Sequence, residues 1–323
     1  MKQFSLWCDF VEDNFLDNEF VELLHSKING ATSNPLILKN VILTPAYKNK
    51  IANLKGKKPK EIYENIAMSD ICKAADRLAY KFERGDDGFI SLEIDPRIYD
   101  NASLSIGEAK RLHSAMGRQN IMMKIPATKA SYEVMYELMK SGINVNATLV
   151  FSGEQNKKCF EALNEGLKAF RKMQIYSKAK EPQAVISVFV SRLDRILNER
   201  VNEPNQIGVL NAKLAYNYIM AQNEPNIRAL FASTGVKGDD LTKDYYIREL
   251  YLDRALNTAP LDAIRAFNGE CEFKQTLSDE ELQRRLDKLV FKELLDETCS
   301  YLIDGALKNF CFEFDDLLAK LSN

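Results

Sequence analysis

The chain has 323 residues, of which 46% are hydrophobic and 28% charged, the composition of a globular protein large enough to bury a sizeable core. Its 44 Lys and Arg residues nearly balance its 46 Asp and Glu residues, so nothing in the net charge favours nucleic acid or an anionic membrane as a partner. Small anionic substrates are not excluded, because they need only a local cluster of positive groups.

The cysteines and histidines are too scattered to predict a metal site or a disulfide framework. His25 and His113 lie far in sequence from every cysteine, and no C-x-x-C pair occurs. The cysteines are Cys8, Cys72, Cys159, Cys271, Cys299 and Cys311. The first ten residues lack the apolar core of a signal peptide, and no apolar run is long enough to span a membrane. We therefore expect reduced thiols, no bound metal and a cytoplasmic protein.

Short apolar runs alternate with longer amphipathic segments along the chain, and the runs predict eight strands. The predicted strands lie within 4–9, 30–38, 89–94, 121–126, 143–151, 184–190, 229–234 and 255–260. The second is a short strand that runs into an Asn-Pro turn. Most runs lack polar/apolar alternation, as expected of parallel strands that are buried on both faces.

A helix or a long connection is predicted after each strand. Asp17 is the predicted N-cap of the first helix, and the helical periodicity of 59–82 is interrupted near Ser69. Three capping boxes predict further helix starts: Ser105 with Glu108, Ser152 with Gln155, and Ser278 with Glu281.

Eight strand–helix repeats with extra helices predict an α/β fold of the (β/α)8, or TIM-barrel, type. A doubly wound sheet is the main alternative, but no G-x-G-x-x-G motif follows the first strand. No linker rich in Pro, Gly or Ser divides the chain. We therefore expect one domain over 1–323, in which the helices from about 277 to 323 pack on the barrel.

Lys124 lies in the middle of the fourth apolar run, NIMMKIPAT at 120–128. Lysine is rarely buried without a partner or a function, and desolvation disfavours its ammonium form. A buried lysine can therefore act as a nucleophilic amine that forms Schiff bases with carbonyl compounds. The alternative is a lysine that reaches water at the strand end or pairs with a carboxylate. This run alone favours the alternative, and the rest of the chain reverses the preference.

Polar residues occur in or just after all eight predicted strands, where a (β/α)8 barrel places its active site. In chain order they are Asp9; Thr32, Ser33 and Asn34; Glu93 and Asp95; Lys124; Asn146 and Thr148; Ser187 and Arg192; Ser233 and Lys237; Asn257 and Thr258. Each one alone is weak evidence, because Asp and Asn residues commonly terminate strands and cap helices, and for Asp9, Asn34 or Asn257 taken singly that explanation is favoured. Their joint placement around a buried lysine favours an active site.

The spacing and charge of these residues indicate a reaction type. Asn146 and Thr148 are two residues apart and share one face of their strand, as do Ser187 and Phe189. A lysine accompanied by two separated carboxylates, Asp9 and Glu93, is suited to carbonyl chemistry with proton transfer.

A phosphate site is predicted near the ends of the sixth and seventh strands. Arg192 and Lys237, beside Ser233, supply the positive charge and the hydroxyl that bind a phosphate. The alternative for Arg192 is a surface salt bridge.

With these residues assembled, the chain resembles the transaldolase family over about residues 4–260. The segments that carry the resemblance are GATSNPLI at 30–37, MKIPAT at 123–128, GINVNATLVFS at 142–152, SVFVSRLD at 187–194 and ASTGVK at 232–237. The resemblance implies that Lys124 forms a Schiff base with a ketose phosphate and retains a dihydroxyacetone unit, which passes to an aldose phosphate. The family reaction, part of the pentose phosphate pathway, converts sedoheptulose 7-phosphate and glyceraldehyde 3-phosphate into erythrose 4-phosphate and fructose 6-phosphate. No metal or organic cofactor is implied.

The resemblance also implies roles for individual residues. Asp9 is the expected acid/base at the cleaved hydroxyl, and Glu93 the expected proton carrier, acting through water with Thr148. The expected substrate-binding residues are Ser33, Asn34, Asn146, Ser187 and Phe189 around the dihydroxyacetone unit, and Arg192, Ser233 and Lys237 at the phosphate. Some relatives have arginine where this chain offers Lys237, which lacks the bidentate fork, so the register of the phosphate stays open.

Three interpretations compete at this point. An aldolase that releases free dihydroxyacetone is the main alternative, although Phe189 provides no extra proton donor for that release. A catalytically inactive barrel is disfavoured because Asp9, Glu93, Lys124 and Thr148 are all present. The sequence does not decide whether the protein is a monomer or a homodimer, or whether the charged segment 238–254 is a loop or an interface.

Overall fold

The computed structural model describes residues 4–173 and 180–322, so residues 1–3 of the N-terminal segment considered above lie outside the description. Within these ranges, eight parallel strands follow one another in chain order and close into a barrel, with the eighth strand paired to the first. The strands are β1 (Phe4–Cys8), β2 (Gly30–Thr32), β3 (Ile90–Glu93), β4 (Ile121–Pro126), β5 (Asn144–Val150), β6 (Ala184–Phe189), β7 (Ile227–Ala232) and β8 (Ala255–Ala259). The predicted (β/α)8 fold is confirmed.

Helices connect the strands and extend beyond the last one. They are α1 (Asp13–Asp17), α2 (Glu19–Ser26), α3 (Pro35–Ile42), α4 (Lys48–Ala52), α5 (Pro59–Glu83), α6 (Ala102–Met116), α7 (Ser131–Lys140), α8 (Gly153–Met173), α9 (Ser191–Leu197), α10 (Ile207–Ala221), α11 (Tyr245–Glu249), α12 (Leu261–Ala266), α13 (Asp279–Leu289) and α14 (Lys292–Leu321). Short 3-10 helices occur at Pro45–Tyr47, Pro96–Ile98 and Asn198–Arg200. In the part of the chain that the structure describes, no helix is both long and apolar enough to cross a bilayer.

Successive strand residues pack in different layers, because side chains alternate between the two faces of a strand. On β4, Ile121, Met123 and Ile125 belong to the apolar cluster under the surrounding helices. Met122 instead belongs to a cluster inside the barrel with Trp7 of β1. Lys124 has the parity of Met122, so the strand directs its side chain into the barrel.

Helix α14 lies across the end of the barrel where the strands terminate. Its residues Cys299 and Leu302 join the same cluster as Phe151 and Phe189, which follow or end strands β5 and β6. The Lys39 amine on α3 forms ion pairs with two α14 carboxylates. These contacts place α14 beside residues that the sequence analysis predicts for the site, such as Phe189.

The three predicted capping boxes have different outcomes in the structure. The Ser152–Gln155 box is confirmed, because the Gln155 backbone N–H donates to Ser152 Oγ at 3.1 Å and the Gln155 side chain accepts from the Ser152 N–H at 3.1 Å. Ser278 also caps its helix, by accepting from the Glu281 N–H at 3.3 Å. The Ser105–Glu108 box is wrong: Asn101 caps α6 one turn earlier and accepts from the Leu104 N–H at 3.0 Å.

Two further details of the helix predictions are also wrong. Asp17 ends α1 instead of capping a longer helix, and its carboxylate pairs with Lys73 at 2.6 Å and Arg77 at 2.7 Å. Helix α5 runs through Ser69 without a break.

Candidate active site

The Lys124 side chain is buried at the centre of the barrel, with 6% of its surface exposed. Its backbone pairs with Glu93 of β3 on one side and with Asn146 of β5 on the other. The amine donates a hydrogen bond to the Ser33 carbonyl oxygen at 2.9 Å and lies 3.9 Å from Glu93 Oε2. The amine is therefore oriented by a neutral carbonyl and has a carboxyl group close by.

Glu93 ends β3 with its carboxyl group buried beside this amine. Burial raises the pKa of Glu93 to about 7, against the lowering effect of the Lys124 charge. Its Oε2 atom has no hydrogen-bond partner among the described residues. A carboxyl group with such a pKa is present in both protonation states near neutral pH, which suits it to proton transfer.

Thr148 lies on β5 opposite Pro126 of β4, and its hydroxyl is completely buried. Like Glu93 Oε2, the Thr148 Oγ1 atom lacks a hydrogen-bond partner within the described ranges. Just beyond it the register between β5 and β6 shifts, and Leu149 adopts a positive φ of 58°. Buried polar atoms without partners are costly in a folded protein, so these two atoms are positioned to bind water or substrate.

A hydrogen-bonded row of buried polar side chains crosses the barrel beside Lys124. Asn146 donates through Nδ2 to Ser91 Oγ at 3.0 Å and accepts through Oδ1 from Ser187 Oγ at 2.6 Å. The three residues belong to β3, β5 and β6 and are at most 1% exposed. These bonds fix the orientation of the Asn146 amide next to Lys124.

Asp9 directly follows β1 and is held at the barrel mouth by two threonines. Thr32 Oγ1 donates to Asp9 Oδ1 at 2.6 Å, and the hydroxyls of Thr32 and Thr258 are 2.6 Å apart. The carboxylate therefore has a fixed position on the opposite side of the barrel from β5. The two carboxyl groups differ in environment, because Asp9 is half-buried and hydrogen bonded whereas Glu93 is buried.

Ser33 and Asn34 follow β2, and each makes hydrogen bonds with neighbouring elements of the barrel. Ser33 Oγ donates to the Ser91 carbonyl at 2.8 Å, while the Ser33 carbonyl receives the Lys124 hydrogen bond. Asn34 caps α3 by accepting from the Ile37 N–H at 2.9 Å. The Asn34 Oδ1 atom is thus occupied, which leaves the amide Nδ2 group as its donor toward a substrate.

Arg192 lies in the first turn of α9, directly after β6. Its guanidinium stacks over the Phe189 ring, 5.1 Å from the ring centroid. Ser233, which follows β7 with a positive φ of 54°, lies 3.1 Å from the Ser191 hydroxyl through its own Oγ atom. Arg192 and Ser233 thus lie on two connected strand ends.

Lys237 differs from the other candidates because its side chain is exposed on the loop after β7. It forms no ion pair or hydrogen bond with any residue in the described part of the chain. Its role at the phosphate stays a prediction.

Comparison with known proteins agrees with this geometry. The family model described as "Transaldolase/Fructose-6-phosphate aldolase" matches residues 6–321. Two curated proteins named "Transaldolase", from Campylobacter jejuni subsp. doylei and subsp. jejuni, are 61% and 62% identical over 325 residues, which cover 99% of this chain and 100% of each relative. A "Transaldolase" from Helicobacter pylori is 41% identical over 327 residues, with 99% of both chains covered.

This chain belongs to the transaldolase/fructose-6-phosphate aldolase family. The resemblance found in its motifs is therefore confirmed over nearly the whole length. The site geometry adds one residue that the motif analysis did not single out, Ser91, which is the partner of Asn146. It also shows what Thr32 and Thr258 do: Thr32 donates to Asp9, and the two threonine hydroxyls contact each other. Ser91 was predictable, because it lies two residues before Glu93 and shares its strand face.

A cavity of about 760 Å³ opens at the end of the barrel where the strands begin, opposite the candidate active site. Its lining includes Phe89, Asn144 and Arg228, each before or at the start of a strand. Arg228 pairs there with Asp87 at 2.6 Å. Because Lys124 lies toward the other strand ends, this cavity is separate from the Schiff-base chemistry.

Proposed function

We propose that this protein is a transaldolase that transfers a dihydroxyacetone unit from a ketose phosphate to an aldose phosphate through a Schiff base on Lys124. The main support is a buried lysine amine 3.9 Å from a carboxyl group with a pKa of about 7, in a chain that is 61% identical to curated transaldolases. Sedoheptulose 7-phosphate and fructose 6-phosphate are the proposed donors. Glyceraldehyde 3-phosphate and erythrose 4-phosphate are the proposed acceptors.

The first half-reaction forms the imine and breaks a carbon–carbon bond. The Lys124 amine adds to the ketose C2 carbonyl, and Glu93 moves the protons needed for the carbinolamine to form and to lose water. Asp9 then accepts the proton of the C4 hydroxyl as the C3–C4 bond breaks. The electron pair of that bond passes into the imine, an aldose phosphate leaves, and an enamine of dihydroxyacetone stays on Lys124.

The second half-reaction reverses these steps with a different aldose. The enamine carbon attacks the acceptor aldehyde, Asp9 returns its proton to the new hydroxyl, and water hydrolyses the imine. Between the two halves the enamine must be retained. We assign this retention to Asn146, held by Ser91 and Ser187, and to Asn34, through hydrogen bonds to the dihydroxyacetone hydroxyls.

Borohydride trapping with fructose 6-phosphate, followed by peptide mass mapping, tests the imine. We expect a stable three-carbon adduct on Lys124 and none in Lys124→Met. The matched control is Lys213→Met, since Lys213 is another partly buried lysine whose pKa is lowered by burial but which lies on α10. An unmodified wild-type protein, or an adduct on another lysine, contradicts the proposal.

The need for an acceptor separates transfer from simple cleavage. Incubation with fructose 6-phosphate alone is expected to give at most one equivalent of glyceraldehyde 3-phosphate per site, with turnover only after erythrose 4-phosphate is added. Continuous release of free dihydroxyacetone without any acceptor would instead identify an aldolase.

We also place the protein in the cytoplasm. All six cysteines lie in the described ranges and are free thiols, as expected in a reducing compartment. Cell fractionation with an antibody against the protein tests this placement, and recovery outside the cytoplasm contradicts it.

A further inference from the structure

Two arginines on α9 face one cleft. Arg192 and Arg195 line an open cleft of about 320 Å³ whose other wall is the α14 surface formed by Tyr301, Gly305 and Asn309. Within residues 4–173 and 180–322, neither guanidinium forms an ion pair. Arg171 shows the contrast, since it is held between Glu181 and Glu224 at 2.7 Å each.

The two charges are close enough to oppose each other. Burial lowers the pKa of Arg192 below its usual value, and the neighbouring Arg195 charge lowers it further. Two neighbouring cations that form no ion pair within the described residues repel each other. A bound anion removes this repulsion and gains charge-assisted hydrogen bonds from both groups.

The carboxylate nearest in sequence does not serve as the counter-ion. Asp194 lies between the two arginines in sequence but is completely buried. Its two oxygens accept from the Gly208 N–H at 2.7 Å and from the Tyr246 hydroxyl at 2.8 Å. Asp194 therefore anchors α9 to α10 and α11 and leaves both arginines free for a ligand.

Arg192 connects this cleft to the catalytic centre. Its guanidinium lies over Phe189 at the end of β6, the strand that carries Ser187. Asp9 and Glu93 both act electrostatically on Arg192. Arg192 is therefore the residue that lines the cleft and also interacts with the carboxyl groups of the catalytic centre.

We propose that Arg195 and the α14 wall complete the phosphate site, so that Arg192 and Arg195 together bind the terminal phosphate of the sugar substrates. This inference rests on the proposed function and deepens it. Arg195 then supplies the second positive charge at the phosphate, a role that the motif analysis had assigned to Lys237. Arg195 contacts the phosphate and not the reacting atoms, so it determines the preference for phosphorylated over unphosphorylated sugars.

The test compares two acceptors with fructose 6-phosphate as saturating donor. For Arg195→Gln we expect the KM for glyceraldehyde 3-phosphate to rise by about 10-fold or more, while kcat/KM for unphosphorylated glyceraldehyde is unchanged. Arg195→Lys should restore part of the loss. Arg200→Gln, which removes an exposed arginine near the end of the same segment, is the matched control and should behave as wild type.

A second variant closes the cleft without changing any charge. A Cβ atom added at Gly305 meets no other atom within 4 Å, so a larger side chain at this position is tolerated by the fold. Gly305→Trp should weaken inhibition by inorganic phosphate by about 10-fold at an unchanged unfolding temperature, whereas Gly305→Ala should not.

The two proposals fail in different ways. If Lys124 is trapped normally in Arg195→Gln but the preference for the phosphorylated acceptor is unchanged, the phosphate assignment is wrong and the transaldolase assignment stands. An equal loss with both acceptors, or the full effect in Lys237→Gln instead, also overturns the role of Arg195. If wild-type Lys124 is not trapped at all, the proposed function itself fails.

Discussion

The Lys124 amine lies 3.9 Å from Glu93 Oε2 and 2.9 Å from the Ser33 carbonyl oxygen, so its hydrogen bond goes to the neutral group. Here the carbonyl orients the amine, and the Glu93 carboxyl group keeps a pKa of about 7. The arrangement fixes the direction of the amine and places beside it a carboxyl group that can exchange protons near neutral pH.

Replacement of Lys124 by methionine keeps the length and apolar stem of the side chain but removes the nucleophile. We expect kcat to fall by at least about 10³-fold, because the covalent route is lost. A coupled assay of glyceraldehyde 3-phosphate formation measures the loss. Circular dichroism should show an intact fold, and substantial residual turnover in a folded variant would contradict the Schiff-base mechanism.

Replacement of Glu93 by glutamine removes a group that titrates near neutral pH. We expect the rate of imine formation in the wild type to change around pH 7, where the Glu93 carboxyl group gains or loses its proton. In Glu93→Gln this change should disappear, and the rate should be lower by about 10²-fold or more. Single-turnover trapping from pH 5 to pH 9 makes the measurement, and a variant that keeps the wild-type profile would assign the titration to another group.

Replacement of Asn146 by alanine breaks the hydrogen-bonded row of buried polar side chains at its centre. The Ser91 and Ser187 hydroxyls then lose their shared partner, so we expect the free energy of unfolding to fall by about 1–3 kcal/mol. The activity should fall as well, since Asn146 adjoins Lys124. Urea denaturation measures the stability, with Asn65→Ala on the exposed face of α5 as a control that should change little. Equal stabilities of the two variants would show that the hydrogen bonds of Asn146 with Ser91 and Ser187 do not stabilise the fold.

Replacement of Asp194 by asparagine should change how stability depends on pH. Burial raises the pKa of Asp194 from 3.8 to about 6, so between these values the folded protein holds the proton more tightly than the unfolded chain does. The stability from this group is therefore fully present below about pH 4 and is lost as the pH rises through 6. Asp194→Asn does not titrate, and between pH 4 and pH 7 we expect its stability relative to wild type to rise by about 2 kcal/mol.

Denaturation series at pH 4, 5, 6 and 7 measure this difference. Asp239→Asn, at a fully exposed position, is the control and should run parallel to wild type. An Asp194→Asn series that also runs parallel would mean that Asp194 has an ordinary pKa in the folded state.

The sequence by itself determined the features that depend on local periodicity. The eight strands and their order follow from short apolar runs, and the place of Lys124 inside the barrel follows from such a run together with the alternation of side chains along a strand. The alternation that places Asn146 and Thr148 on one face of β5 also places Ser91 and Glu93 on one face of β3. Polar residues at strand ends mark the site because the barrel brings all those ends together.

Only the tertiary structure decided which groups contact one another. The hydrogen bond of Lys124 to the Ser33 carbonyl, 91 residues away in sequence, depends on the closure of the barrel. The cleft between α9 and α14 depends on how a C-terminal helix docks, so the motif analysis sought the second phosphate ligand at Lys237 and did not consider Arg195. The physical reason is that periodicity along the chain determines which face a side chain occupies, whereas its partners and its burial are set by packing between distant segments.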